Sequence, residues 1–347
     1  MVNKEARQVQ GASGNAGQAG ELMNAVVQEK YGDAEVLHVA RIPTPALKDD
    51  EVLVRVHAAG LDRGTWHLMT GRPYLLRLGF GFRGPKNPVS GIDLAGTVVA
   101  TGSAVTRFAI GAPVYGFGKG SFAEFAAVKE NQLAVKPAGL SFEQAAVVPI
   151  SGGTALQAVS DAGRISAGQK VLITGASGGV GSFAVQLAKA LGAEVTGVGS
   201  TAKMEFVRGL GADRVIDYTA EDFSKSGELY DVILDFAGNT PVRRMRHVLT
   251  PKGILVVGGG EQGESITGIS KQLRAALLSP LVSQRLVMFV SRQRVSDLEK
   301  LAQLLDDGAV SPRVDTVYPL EQAQDAMRHL AEGKVRGKIA ISVLSAG

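Results

Sequence analysis

The run Val171-Leu172-Ile173-Thr174-Gly175-Ala176-Ser177-Gly178-Gly179-Val180-Gly181-Ser182 constrains this chain more than any other stretch. It orders a buried strand, a glycine turn and a helix start, the arrangement that binds the pyrophosphate of a dinucleotide. Glycines at 175, 178 and 181 let the backbone turn tightly and approach the phosphates. The helix N-terminus adds N–H groups and a favourable dipole. The spacing is not a strict GxGxxG, so the surrounding pattern has to carry the reading. It does: Ala184, Leu187, Ala188 and Leu191 recur at helical spacing, Gly192 ends the helix, and Val195 to Gly199 reads as the next strand of a βαβ unit. Ala176, Ser177, Gly178, Gly179 and Val180 are the expected backbone contacts.

The strand–helix alternation continues. Val171–Thr174, Val195–Val198, Arg214–Ile216, Val232–Phe236, Ile254–Val257 and Leu286–Val290 read as strands of one parallel sheet with helices on both faces. Residues 23–150 instead alternate short apolar runs with Gly and Pro, as an irregular β-rich domain does. The tail carries an amphipathic helix (Leu320, Ala323, Met327, Leu330) and a last strand, Lys338 to Val343. The expected organisation is therefore a β-rich domain over 23–150 and 291–347, interrupted by a dinucleotide-binding domain over 151–290. Residues 1–22 read as a disordered extension, or as a start placed upstream of a natural Met23.

Composition excludes several chemistries. The chain has no Cys, which removes disulfides, thiolate metal sites and thiol nucleophiles and fits a reducing cytoplasm. No apolar run approaches the roughly 20 residues of a membrane span, so no membrane partner is expected. Net charge is only +4, and the single basic cluster, Arg243 to His247, reads as a solvated helix face rather than a nucleic-acid site.

An acidic residue at the end of the second strand would hold the ribose 2′-OH of NAD. Gly199 and Ser200 stand there instead, followed by Thr201 and Lys203. Two hydroxyls and an ammonium suit the 2′-phosphate of NADP(H), with Arg208 a more distant candidate.

The two-domain order and several motifs resemble the medium-chain dehydrogenase/reductase superfamily, and within it the zinc-free quinone oxidoreductase-like branch. The carriers are Ala59-Gly60-Leu61-Asp62, Gly91 to Gly96, Gly116 to Glu124, Ala176 to Gly181, Gly211 to Tyr218 and Gly333 to Lys338, and the resemblance runs from about residue 24 to the C-terminus. It implies a GroES-like catalytic domain, a Rossmann domain, a cofactor in the cleft between them, and a homodimer with its seam near Leu286–Val290. Zinc members bind their catalytic metal through residues that here correspond to Asp62, Ile92 and Ile150, so no metal is expected. By the same matching, Thr154 approaches the nicotinamide and ribose, Gly258 and Gly259 pass the nicotinamide, Tyr218 flanks the adenosine 2′-phosphate, and Lys338 lies near the cofactor cleft. His67 coincides with a proton-relay histidine. The branch more often has Asn at Asp62, Asp at Thr65, and Tyr or Lys at His67.

A metal-free site cannot polarise a plain ketone by Lewis acidity. The expected acceptors are hydrophobic quinones or α,β-unsaturated carbonyls, already activated by conjugation. His67, Tyr74, Tyr115 and Asp62 are the candidate proton-handling residues. The apolar, Gly- and Pro-broken stretch Arg72 to Pro85 reads as a loop covering the substrate. Enoyl-thioester reduction, or NADPH binding without turnover, are the competing readings.

Overall fold

The computed structural model describes residues 20–258, 275, 279 and 282–344. A six-stranded parallel sheet holds the strands Lys170–Thr174, Glu194–Gly199, Arg214–Asp217, Tyr230–Asp235, Leu249–Val257 and Arg285–Met288. Numbered within this sheet, their spatial order is 3-2-1-4-5-6, the doubly wound order whose ligand crevice opens beyond the strand ends at the reversal. Here the reversal lies between Lys170–Thr174 and Tyr230–Asp235, and the glycine turn sits at its mouth.

The helix Gly179–Ala190 follows the turn and is buried along most of its length, because small side chains let it lie close against the sheet. Gly192, at φ +79°, ends it as a left-handed residue after the last turn. Two positions in the turn admit only glycine. Gly175 sits at φ +67°. A Cβ on Gly181 would stand 2.1 Å from the Gly175 carbonyl oxygen.

The second large sheet has seven strands and is mostly antiparallel. Its long strand Glu51–Leu61 pairs with Asp93–Thr101 on one side and with the C-terminal strand Lys338–Ser342 on the other. The chain's last strand is thus built into the sheet formed by its first third. Two helices connect the sheets. Ser141 caps Phe142–Ala146 through a reciprocal box with Gln144, and Pro149 opens Pro149–Gln157.

One apolar cluster spans both sheets, from Ala58, Ala95 and Tyr115 through Ala155 and Phe183 to Leu298 and Leu301. The helix Val295–Asp306 contributes Leu298, Leu301 and Leu305 at helical spacing. A second cluster fills the seven-stranded sheet and receives Leu320 from a 3₁₀ turn and Ala323 and Met327 from the helix Ala323–Ala331. Among the described residues, no helix is long and apolar enough to cross a membrane.

The stretch expected to be an irregular loop contains a 3₁₀ turn, Tyr74–Leu76, and a short helix, Arg77–Phe80. Gly and Pro at its edges hide these turns from a periodicity reading, which needs longer runs. Leu22, expected to end the extension, lies in a strand: Leu22–Val27 pairs antiparallel with His38–Pro43.

Candidate active site

Three adjacent strands of the seven-stranded sheet converge on the glycine turn. The register sets Ile339 opposite Leu61 and Gly60 opposite Asp93, so Lys338, Asp62 and Asp93 gather at one sheet end. The Gly337 N–H donates to the Ser177 carbonyl at 2.8 Å, tying this end to the turn. The Lys338 stem passes beside Gly179 and Ser151: a Cβ on Gly179 would lie 2.9 Å from Lys338 Cδ.

This junction is buried and charged. Lys338 is only 2% exposed, and its Nζ has no hydrogen-bond partner among the described residues. Gly178, the residue before the helix Gly179–Ala190, supplies no side-chain cap to that helix. An ammonium and uncapped N–H groups therefore meet at the turn, and both favour an anion there. On the other side, both Asp93 oxygens accept from the Ile150 N–H, at 3.1 and 3.2 Å. Burial, then the Asp62 carboxylate, push the Asp93 carboxyl well up, against the pull of Lys338 and the Ile150 N–H. Asp62 caps the helix Arg63–Thr70 with Oδ1, which accepts from the Thr65 N–H at 2.9 Å. Its Oδ2 is buried with no hydrogen-bond partner among the described residues.

The positions that correspond to a zinc site in relatives are poor in donors. Ile92 and Ile150 offer no donor atoms, and the described residues contain no group of three or more His, Cys, Asp or Glu placed to hold an ion. Asp62 already gives one oxygen to its own helix, and the buried Lys338 ammonium would repel a second cation.

The proton-handling candidates separate. Tyr115 has to be removed: it is fully buried, and its hydroxyl donates to the Leu298 carbonyl at 2.6 Å. Burial, with Asp306 and Glu299 nearby, raises this phenol far above its ordinary value. It pins the helix Val295–Asp306 to the sheet. His67 lies on Arg63–Thr70, and its Nδ1 is 2.7 Å from the Arg72 carbonyl. A carbonyl can only accept, so Nδ1 carries a proton in this contact. Tyr74 is half exposed, with the Arg77 guanidinium 4.7 Å over its ring.

The adenosine end looks different. Lys203 donates to the carbonyls of Gly333 and Val335 at 2.6 and 2.9 Å. Thr201 donates to Asp217 and meets Thr219 at 3.0 Å. Ser200 precedes this turn without a side-chain capping bond among the described residues. Arg208 pairs with Glu205 on the surface. Tyr218, with its N–H on the Gly199 carbonyl, is 62% exposed, so its ring is open to a ligand. Asp217 is the residue that motif reading missed. It lies on the neighbouring strand, paired with Gly199, and hydrogen bonds from Thr201 and Thr219 hold its carboxyl below the usual range.

Elsewhere, Ala176 is buried with its N–H on the Val198 carbonyl, and Thr154 donates to Ser291 at 2.9 Å. Gly258 donates to the Asp235 carbonyl at 3.0 Å. Gly259 lies outside the described residues. A cavity of about 390 Å³ beside Phe206, Arg313 and Arg336 contains none of the expected site residues.

Comparison with known proteins agrees with this architecture. Residues 48–138 match the alcohol dehydrogenase GroES-like domain family, and residues 210–341 match a family described as zinc-binding dehydrogenase. The chain is 33% identical over 346 residues to a chloroplast envelope quinone oxidoreductase homolog of Arabidopsis thaliana, covering 93% of this chain and 99% of that one. It is 32% identical over 337 residues to an NADPH-dependent alkenal/one oxidoreductase of the same plant, covering 92% of this chain and 79% of that one. The solved structure of the quinone oxidoreductase from Coxiella burnetii superposes with a TM-score of 0.81 at 27% identity, covering 93% of this chain and all of that one (100%). The chain belongs to the medium-chain dehydrogenase/reductase superfamily of oxidoreductases, in its quinone oxidoreductase-like branch.

Proposed function

We propose that this protein reduces a quinone or an α,β-unsaturated carbonyl with NADPH and without a metal. The observation that carries the reading is the junction itself: a buried ammonium with no hydrogen-bond partner, and a glycine turn with no side-chain cap, among the described residues, beside a place where zinc relatives hold their ion. These residues fit a dinucleotide. Gly178, Gly179 and Val180, with Ala176 and Ser177 behind them, would hold the pyrophosphate, and Lys338 would add a charge-assisted bond. Thr154 and Gly258 would take the nicotinamide end, to which the family match also assigns Gly259, outside the described residues; Ser200, Thr201, Lys203 and Tyr218 would take the 2′-phosphate. When bound, the cofactor supplies hydride to a conjugated acceptor.

What remains for the protein is to bind, orient and protonate. The acceptor oxygen gains negative charge and needs a donor. His67 is the leading candidate, held by the Arg72 carbonyl at the root of the segment that carries Tyr74. Asp62 acts by fixing the helix that presents His67, so it is a positioning residue. The segment Arg72 to Pro85 covers the substrate, and the β-rich domain over 23–150 and 291–347 closes on the Rossmann domain over 151–290. The edge strand Arg285–Met288 is the seam of a homodimer. The absence of Cys suits a reducing compartment such as the cytoplasm.

The test is oxidation of NADPH and NADH in parallel with a quinone, an alkenal, a cyclic enone, a crotonyl thioester and a simple ketone, with and without chelator. Chelator-insensitive turnover of the conjugated acceptors with NADPH is expected. Tight NADPH binding with no turnover, or activity abolished by chelator, would overturn the reading.

A further inference from the structure

From Arg63 to Ile92 the sequence contains no Asp or Glu, but it carries Arg63, Arg72, Arg77, Arg83 and Lys86. The same stretch displays apolar side chains outward. Leu78 and Phe82 are 72% and 77% exposed, and Tyr74, Leu75 and Phe80 are each about half exposed. Neither short helical element there has a buried residue. A segment that merely filled the core would turn these side chains inward, and a contiguous exposed apolar patch marks an interaction surface.

The backbone under the patch is well held, so the exposure is built into the fold. Tyr31 Oη donates to the Gly81 carbonyl at 2.7 Å, and the Lys86 N–H donates to the Phe80 carbonyl at 2.7 Å. The Arg77 guanidinium lies between the rings of Tyr31 and Tyr74, at 4.6 and 4.7 Å. Arg72, Arg83 and Lys86 of the same segment are exposed, with Lys86 Nζ donating to the Gly79 carbonyl at 3.1 Å. The turn packed beneath Gly84 adds Glu29 and Lys30, which offset each other.

We propose that this surface docks on an anionic lipid bilayer. Exposed aromatic and leucine side chains in one segment with exposed Arg and Lys, and no acid from Arg63 to Ile92, suit the headgroup boundary: the apolar groups enter the acyl region while the cations face lipid phosphates. This is surface attachment rather than a span, and it revises the expectation of no membrane partner that rested on span length alone. Under the proposed reaction, docking brings a lipid-dissolved acceptor to the site. The test reads binding only, so failure of that reaction leaves the docking to be judged by itself.

The full chain is sedimented with vesicles of phosphatidylcholine, and with vesicles enriched in phosphatidylglycerol, at low and raised salt. Binding at least roughly tenfold stronger to the anionic vesicles, weakened by salt, is expected. Leu78→Ser with Phe82→Ser should remove binding to both vesicle types, whereas Arg83→Glu with Lys86→Glu should remove the anionic preference. Retained NADPH binding by each variant shows that it is folded. No sedimentation of the wild-type chain, or equal sedimentation of wild type and variants, would overturn the proposal. So would a concentration-dependent dimer that the Leu78/Phe82 variant abolishes, because a second copy would then be the occupant.

Discussion

The two ends of the proposed cofactor groove differ in how their polar groups are satisfied. At the glycine turn, the buried Lys338 ammonium has no hydrogen-bond partner, and no side chain caps the helix, among the described residues. At the adenosine end, Lys203 already holds two carbonyls, Thr201 holds Asp217, and Asp217 is bonded again by Thr219. An anion arriving at the first end meets N–H donors that no described side chain already holds. At the second end a phosphate must exchange with bonds already made, and the net gain of such an exchange is small. Affinity should therefore be concentrated at the turn, and cofactor choice should rest on a finer balance at the 2′ end.

The largest effect should come from Gly181→Ala. Its Cβ would meet the Gly175 carbonyl at 2.1 Å, so the turn must open. Stability should fall by about 3 kcal/mol and NADPH binding should disappear; a variant that binds normally would show that the turn does not set the groove. Lys338→Met should raise the Kd for NADPH by about 100-fold, close to 2.7 kcal/mol, as read by fluorescence titration.

Asp93 sharpens the comparison from the other side of Lys338. Its carboxyl holds a proton more tightly in the folded chain than in the unfolded one. The folded state then binds more protons, so the contribution of Asp93 to stability is greatest below about pH 4 and is lost as pH rises through its folded value. Asp93→Asn keeps an acceptor for the Ile150 N–H and drops the charge. Its Tm should exceed wild type by roughly 2–4 °C at neutral pH, with the gap closing in acid. A gap that ignores pH would contradict this. The smallest effect belongs to Asp217→Asn, which removes a fixed negative charge beside Ser200 and Thr201. The ratio of NADPH to NADH affinity should rise about threefold, and a fall would mean that Asp217 helps the 2′-phosphate bind.

Legibility in the sequence followed the same division. The glycine turn and the six parallel strands were readable because backbone-built features leave local marks: glycines at a turn, apolar runs between helices. Side-chain arrangements needed register. Asp217 reaches Thr201 only because Arg214–Asp217 pairs with Glu194–Gly199, and a strand alignment of Asp217 against Gly199 was the signal that would have found it. Sequence pattern offers Tyr115 as a donor, but its strand is buried on both faces. Without alternation, the sequence does not say which way its hydroxyl points. The short turns of Tyr74–Phe80 fall below the length at which periodicity speaks.

The most direct measurement is a paired titration of wild type and Lys338→Met with NADPH and with adenosine 2′-monophosphate, a fragment that keeps the 2′-phosphate end but carries neither phosphate of the pyrophosphate. The expected result is a loss of about 100-fold for NADPH and little change for the fragment. Equal losses for both ligands, or none for NADPH, would contradict the assignment of the buried ammonium to the pyrophosphate.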